Sequence, residues 1–292
     1  LADLNFAVVN LRTTDQANQI VKDVALALKS RICLFEGTYR KYHTELGLND
    51  ADSWFRECVS ASTALMNNSK YHLNADYRSI YSSVNLAGNP EIILYKQYEL
   101  GVIVNVRTRS LIVGSEASGA QGVDATKDAV ESYLCSDGLP YGVSPTHPKA
   151  ILGLPETIDE EFMDRDPRMS MTLVIPYDGT PKQDPAEVDD ATNSPFIFWP
   201  QYKGEGKVNT STGYHPYKWW TLDSPYDNNS DGILDAPLFA LNEVLLNYAE
   251  AEAELGECTD DVLNQSINKL RDRVGMPHLT LTLAARSAER RV

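Results

Sequence analysis

The chain contains 292 residues and carries a formal net charge of −15 at pH 7. This negative charge argues against a nucleic-acid partner and disfavours an acidic polymer, because binding phosphates or carboxylates requires a positive field. A neutral ligand fits best. No run of about eighteen consecutive apolar residues occurs, so no segment is expected to cross a bilayer as a helix.

The first long helical pattern covers residues 14–46, where apolar side chains recur at steps of three and four. These side chains are Val21, Val24, Leu28, Ile32, Phe35 and Tyr39. A second helix is predicted from Asn49 or Asp50 to Asn67, and its expected buried residues are Phe55, Cys58 and Leu65. Two antiparallel helices joined by a short link suggest a tetratricopeptide-like unit.

The middle of the chain, residues 70–235, is rich in Gly, Pro, Asn, Asp and aromatic residues. It contains only short strand-like runs such as Glu91–Tyr98 and Leu173–Ile175. Irregular segments this long are uncommon inside a compact chain unless they bind something. We therefore predict a mostly α fold, in which helical hairpins form a scaffold for a long loop-rich region with a few short strands. The expected organisation is one domain over 1–292, with a helical scaffold at 1–69, an irregular ligand-side region at 70–235, and a helical hairpin with the start of a further helix at 236–292.

Aromatic residues concentrate between positions 196 and 226, which hold nine of the chain's 26 aromatic residues (7 Phe, 4 Trp and 15 Tyr). Flat aromatic faces can contact the apolar faces of sugar rings, while neighbouring polar groups bond to the hydroxyls. The candidate glycan-binding residues are Trp199, Tyr202, Tyr217, Trp219, Trp220 and Tyr226. For any single one of them, packing of the loops is the alternative. If the run containing Trp219 and Trp220 is a strand, the two rings point to opposite sides, and one is exposed or covered by another loop.

Motifs typical of enzymes are sparse. The sequence contains no HExxH, GxSxG, P-loop or GxGxxG motif, and its five histidines are scattered. The five acids within 159–166 could be pictured as the paired carboxylates of a glycoside hydrolase, but so tight a cluster more simply indicates a solvated linker. Asp166 and Arg168 are expected to have structural roles, since an Arg can bind a carboxylate and so fix a loop. We therefore expect a protein that is not an enzyme.

A possible calcium loop lies just before the last helical segment. Asp227, Asn229 and Asp231 place oxygen-bearing side chains at its first, third and fifth positions, with Gly232 at the sixth. Leu238 occupies the twelfth position, where such a loop requires a bidentate Glu. A plain turn rich in Asp and Asn is therefore favoured, calcium stays a minor alternative, and no other cofactor is expected.

The four cysteines show no spacing typical of a metal site. Cys33 and Cys58 lie in apolar helical patterns, where a free thiol behaves as a small hydrophobe. A disulfide among the four stays open.

Residues 236–277 predict a helical hairpin, with antiparallel helices over 237–255 and 260–274. Pro237 suits a first helical turn and Gly256 a left-handed C-terminal cap. The first apolar stripe is Leu238, Leu241, Leu245, Tyr248 and Leu255, and the second is Leu263, Ile267, Leu270 and Val274. Glu243, Glu250 and Glu254 share a face of the first helix. Their expected partners are the basic groups of the second helix, or water.

The stretch LNEVLLNYAEAEAELGE followed by INKLRDRVGMP resembles the signature helical pair of the SusD/RagB family of nutrient-binding outer-membrane lipoproteins. Three further segments resemble family features in the family's order. Residues 18–43 are similar to its long Ala/Leu-rich helix, 131–142 to its extended segment with an Asp-Gly turn, and 166–169 to its Asp-Pro-Arg motif. These four segments extend over most of the chain.

The resemblance implies a non-catalytic glycan-binding protein of polysaccharide utilisation, exposed on the outer membrane of a Gram-negative anaerobe. Such a protein captures oligosaccharides for a SusC-like TonB-dependent transporter and is held by a lipid anchor. The resemblance also implies that this is a partial chain, or one whose unobserved segments were left out, without the family's export signal, lipidated cysteine, amino-terminal part and most of its carboxy-terminal part. A peptide- or protein-binding lid of the RagB type and a helical-repeat interaction scaffold are the alternatives. Family members place their ligand aromatics in varied loops, so the resemblance assigns no binding residue.

Overall fold

The computed structural model describes residues 1–13, 18–103, 125–173, 201–202, 209–210, 212, 214, 218–219 and 232–284. Its elements in chain order are α1 (Ala2–Asn10), α2 (Lys22–Tyr42), a 3-10 turn (Thr44–Leu46), α3 (Ala51–Met66), α4 (Ser79–Ser82), β1 (Ile92–Lys96), α5 (Lys127–Ser132), α6 (Pro148–Ile151), α7 (Ile158–Phe162), α8 (Pro167–Thr172), β2 (Gln201–Tyr202), β3 (Asn209–Thr210), β4 (Ala236–Ala240), α9 (Leu241–Glu254), α10 (Asp260–Gln265) and α11 (Ile267–Asp272). The prediction of a mostly α fold with short strands is confirmed.

The chain divides into two compact units. The helical unit comprises Leu1–Asp76, Leu86–Lys96 and Ala236–Ala284, and the second unit comprises Tyr77–Asn85, Gln97–Asp235 and Ala285–Val292. The helical unit joins the two helical segments predicted near the two ends of the chain. The expected division of a single domain into 1–69, 70–235 and 236–292 stays a prediction.

The core of the helical unit lies where α2, α3 and α9 pack together. It includes Val24, Ala27, Ala61, Leu65, Tyr71, Ile93, Leu241, Val244, Leu245 and Leu270. Close packing of α2 on α3 requires a glycine, since a Cβ at Gly37 would lie 2.5 Å from the ring of Phe55. The predicted helices over 14–46 and 49–67 are thus present in shorter form as α2 and α3, and residues 14–17 lie outside the described ranges.

A small buried polar group connects the three central helices. The hydroxyls of Ser30 and Ser62 lie 2.8 Å apart, and the side-chain amide of Asn247 donates to Ser30 Oγ at 3.0 Å. Because buried polar groups are stable only when they are bonded, these contacts favour one register of α2, α3 and α9.

The start of the predicted hairpin is corrected by the structure. Residues 236–240 form β4, which pairs antiparallel with β1 from Ile92↔Ala240 to Lys96↔Ala236, and the helix begins only at Leu241. Pro237 is therefore a strand residue, which a two-stranded sheet tolerates because each of its strands has a free edge. Leu238 is 45% exposed and does not belong to the buried stripe.

The predicted second helix over 260–274 is divided into α10 and α11 at Ser266. Ser266 has φ −130° and ψ −90°, and its hydroxyl donates to the carbonyl of Val262 at 2.6 Å. Thr259 caps α10 by accepting from the Val262 amide. Leu263 and Leu270 are buried as predicted.

The glutamates of α9 find their partners on α2, which corrects the expectation of partners in the second helix. Arg31 Nη2 donates to Glu243 Oε2 at 2.6 Å, and Lys41 Nζ lies 2.8 Å from Glu254 Oε2. Glu250 is exposed.

The second unit has a small core formed by Val130, Met169, Leu173 and Tyr214. Leu173 ends α8 in an extended conformation, and the remainder of the predicted strand 173–175 lies outside the described residues. The side chain of Asp166 caps α8 by accepting from the Arg168 amide at 2.9 Å, and the Arg168 side chain binds the same carboxylate. The structural roles expected for these two residues are confirmed.

All four cysteines are unpaired, and Cys33, Cys58 and Cys135 are buried. Within the described ranges, no helix combines the length and the apolar character that a membrane crossing requires.

Candidate functional site

Of the predicted glycan-binding aromatics, Trp219 is the one whose side chain is described, and it is 39% exposed. Tyr202 lies in β2, where only the backbone is described. The other candidates, Trp199, Tyr217, Trp220 and Tyr226, lie outside the described residues, as do the calcium candidates Asp227, Asn229 and Asp231. The binding roles of all these residues stay predictions.

Trp219 follows a lysine that is fixed in position. The backbone amide of Lys218 donates to the carbonyl of Thr172 at 3.2 Å, and Lys218 Nζ lies 3.7 Å from the ring centroid of Tyr81. The ring centroid of Tyr77 lies 5.6 Å from the ring centroid of Tyr81. Burial lowers the pKa of Lys218. The exposed ring of Trp219 is therefore presented by an anchored segment, which limits the entropy lost when a ligand stacks on it.

A second feature of the same unit is a cleft of about 900 Å³. Its described lining consists of Lys127, Glu131, Pro140, Tyr141, Gly142, Val143, Ala150, Gly153, Leu154, Pro155, Glu156, Ile158, Glu161 and Tyr214. This volume lies within the range of about 300–1,000 Å³ that is usual for small-molecule sites.

The wall that contains Glu156 is a connected polar group. The Tyr141 hydroxyl donates to Glu156 Oε2 at 2.6 Å, and Nδ1 of His147 lies 3.0 Å from the same oxygen. Nε2 of His147 lies 2.9 Å from the carbonyl oxygen of Met163. The side chains of His147 and Glu156 are 2% and 5% exposed. Burial and the bond to Glu156 raise the pKa of Tyr141, so its hydroxyl stays a donor.

A second carboxylate of the lining, Glu161, has a hydrogen-bond partner for only one of its two oxygens among the described residues. The Tyr214 hydroxyl donates to Glu161 Oε2 at 2.7 Å, whereas Oε1 is buried and has no hydrogen-bond partner among the described residues. Glu161 as a whole is 6% exposed. Burial, followed by the bond to Glu161, raises the pKa of Tyr214.

Arg165 is not part of the described lining, but it contacts the lining residue Tyr141. Its guanidinium lies 4.4 Å from the ring centroid of Tyr141 and donates to the carbonyls of Glu161, Val130 and Tyr133 at 2.8, 2.7 and 2.9 Å. Burial lowers the pKa of Arg165. The bonds of Arg165 therefore fix the backbone around the cleft and leave the carboxylates of the lining free of a direct bond to it.

The cleft depends on two segments that the sequence analysis singled out separately. The Asp-Gly turn is closed by the Cys135 amide, which donates to the Leu139 carbonyl at 2.8 Å, and Gly138 adopts φ 82°. The Asp166 amide then donates to the Leu134 carbonyl at 2.9 Å. These bonds place the turn segment beside the acidic segment 159–166.

The expectation that the acids at 159–166 form a solvated linker is therefore corrected. Glu161 and Asp166 are buried, and Glu160 belongs to a capping box with Thr157 at the start of α7. The spacing Thr157-x-x-Glu160 is the sequence signal that predicts this short helix, and it was missed. No sequence signal showed that the next residue, Glu161, would face a cleft. Among the described residues, no group of three His, Cys, Asp or Glu side chains is placed to hold a metal ion.

Comparison with known proteins agrees with this fold. The family model of the SusD family matches residues 90–290. A SusD-like carbohydrate binding protein from Bacteroides fragilis superimposes with a TM-score of 0.71 at 20% identity, over 99% of this chain and 53% of that chain. A second SusD-like protein from the same species superimposes with a TM-score of 0.63 at 20% sequence identity, over 99% of this chain and 55% of that chain. A structure solved with a xylogluco-oligosaccharide superimposes with a TM-score of 0.55 at 17% sequence identity, over 99% of this chain and 51% of that chain.

The chain thus spans about half the length of the solved structures that it matches. Comparison with curated proteins gave no match. The order of motifs in the sequence, the helical architecture and the family match over 90–290 agree, and the chain belongs to the SusD family.

Proposed function

We propose that this chain is part of a non-catalytic glycan-binding protein of the cell surface, which captures oligosaccharides for uptake by a SusC-like TonB-dependent transporter. Lipid anchoring at the outer membrane is part of the same proposal. The family assignment supports it. So does the net charge of −15, which favours a neutral ligand over a polyanion.

The single observation that carries the proposal is the exposed ring of Trp219 on the segment anchored at Lys218. An exposed Trp presents a large, rigid apolar face at low entropic cost, together with an N–H donor at its edge. The apolar face of a pyranose ring can stack on such a surface while its hydroxyls remain bonded to water.

Two similar proteins indicate which ligands to test first. One is described as a carbohydrate binding protein, and another was solved with a xylogluco-oligosaccharide. These descriptions concern those proteins. They make neutral plant glycans and storage glycans the reasonable first panel for this chain.

Capture without bond cleavage is the mechanism that we propose. Two carboxylates that line the cleft each accept a hydrogen bond from a tyrosine hydroxyl. Tyr141 donates to Glu156, and Tyr214 donates to Glu161. Incubation with polysaccharides should release no reducing sugar above a blank without protein. Turnover that disappears in Asp164→Asn or Glu161→Gln would overturn the proposal of a non-catalytic protein.

Affinity electrophoresis tests the binding itself. The chain is run through gels that contain starch, xyloglucan, xylan, pectin or no polysaccharide, beside a non-binding protein of similar mass. We expect retarded migration in at least one gel with a neutral glycan. Unchanged migration in every gel, with specific binding to a peptide mixture instead, would favour the peptide-binding alternative.

A further inference from the structure

We propose that the cleft between Tyr141 and Tyr214 is a second carbohydrate-binding site, which takes an uncharged, hydroxyl-rich sugar and excludes acidic sugars. The inference rests on the proposed function and adds to it a site separate from the predicted aromatic cluster. It is carried by the shape of the cleft, by one buried carboxylate oxygen, and by the charges around them.

The carboxylate oxygen is Oε1 of Glu161. A buried acceptor without a donor costs about 1–3 kcal/mol, and more when it is charged. Oε2 of the same carboxylate already accepts from the Tyr214 hydroxyl. Since the Glu161 side chain lines the cleft and Oε1 has no partner among the described residues, a donor that enters from the cleft can satisfy it. A sugar hydroxyl is such a donor.

The remainder of the lining suits a sugar ring. Tyr141 and Tyr214 contribute aromatic surface, and Pro140, Val143, Leu154 and Ile158 contribute aliphatic surface. The tyrosine hydroxyls are held as donors to Glu156 and Glu161, so both carboxylates are fixed in position. A volume of about 900 Å³ leaves room for more than one sugar ring.

The charges of the lining decide between neutral and acidic sugars. Lys127 Nζ lies 3.6 Å from Glu131 Oε1, so the charges of these two residues offset each other. Of the described lining, Glu156 and Glu161 remain. Arg165 does not line the cleft, but its guanidinium stays charged and interacts electrostatically with both carboxylates, so it offsets one of the two negative charges. An entering carboxylate or sulfate would therefore meet a surplus of one negative charge, whereas a neutral hydroxyl meets an acceptor.

The test uses the Trp219→Ala protein, in which stacking on the Trp219 ring is removed. Calorimetric titration with malto-, cello- and xylogluco-oligosaccharides should still show binding, and oligogalacturonides should show none. Glu161→Gln in this background keeps an acceptor for Tyr214 but replaces the unpartnered acceptor by an N–H donor. We expect it to weaken binding at least tenfold, as for loss of a hydrogen bond to a charged group.

The matched control is Glu160→Gln, which changes the neighbouring acid that binds Lys149 outside the cleft. It should leave affinity unchanged. If Glu161→Gln lowers the unfolding temperature, Ala150→Phe provides a second test, because it fills the cleft from α6 without changing a carboxylate. Ala150→Phe should abolish the remaining binding.

The outcomes separate the two proposals. If the wild-type protein binds glycan but the Trp219→Ala protein binds none, the cleft is not a site and the proposed function stands. Remaining binding that is insensitive to both Glu161→Gln and Ala150→Phe, or that prefers oligogalacturonides, also overturns the cleft proposal. Absence of glycan binding by the wild-type protein overturns both.

Discussion

Glu91 and Arg273 form a buried ion pair across 182 positions of sequence. Arg273 Nη1 lies 2.8 Å from Glu91 Oε2, and the side chains of Arg273 and Glu91 are 4% and 0% exposed. Glu91 also accepts from the Asn74 amide through its carboxylate and from the Leu241 amide through its backbone carbonyl. The residue before β1 is thereby bonded to the start of α9 and to the end of α11.

Removal of the acid from this pair should destabilise the helical unit strongly. Burial raises the pKa of Glu91, and the positive charge of Arg273 opposes that rise. The Arg273 guanidinium therefore stabilises the charged form of the Glu91 carboxylate. Glu91→Ala removes the carboxylate that Arg273 Nη1 binds in this buried pair, and we expect a loss of about 3–5 kcal/mol in the free energy of unfolding. Urea unfolding measures it.

The double variant Glu91→Ala/Arg273→Met is the control. It removes both charges of the pair and should recover part of the loss. A cost for Glu91→Ala below about 1 kcal/mol, as for a surface pair, would contradict the burial of this contact.

Two adjacent leucines of α9 test the packing of the three helices. Leu245 is 1% exposed and belongs to the core, whereas Leu246 is 47% exposed. Leu245→Ala should lower the free energy of unfolding by about 2–5 kcal/mol because it leaves a cavity. Leu246→Ala should change it by less than about 0.5 kcal/mol. Equal effects of the two changes would show that α9 buries a different face.

A fall in pH should destabilise the start of α7, because it protonates Glu160. Bonds from Lys149 and from the Thr157 amide lower the pKa of Glu160 to about 2. In the unfolded chain a Glu titrates at about 4.3, so the stabilising contribution is present above that pH and is lost as the pH falls toward about 2. Thermal unfolding followed across this window should show a shallower acid dependence for Glu160→Gln than for wild type.

Lys149→Met should have the same effect, since it removes the main cause of the lowered pKa. If both variants keep the full acid dependence of the wild-type protein between about pH 4.3 and pH 2, Glu160 does not contribute to it.

The helices were predictable from sequence because their apolar stripes are local patterns. Leu65, Leu245 and Leu270 are buried where the spacing of apolar residues indicated. The strand β4 was not predictable, since Pro237 and Leu238 fit a helical start equally well. Their strand conformation depends on pairing with β1, about 140 residues earlier in the chain.

The candidate site was predictable only in part. A concentration of aromatics pointed to Trp219, whose ring is exposed. The cleft was not foreseen, because it arises from tertiary bonds such as the one between the Asp166 amide and the Leu134 carbonyl. An acid-rich sequence does not by itself distinguish a buried Glu161 from its exposed neighbours.

The central claim is that the exposed ring of Trp219 binds glycan, and calorimetric titration with neutral oligosaccharides tests it most directly. In the Glu161→Gln background, which should weaken any binding in the cleft, Trp219→Ala should weaken binding about 5- to 150-fold, as for loss of one stacked ring, and Trp219→Phe should keep much of the affinity. Thermal unfolding confirms that each variant is folded. Affinity that stays within about twofold in a folded Trp219→Ala variant would contradict the claim.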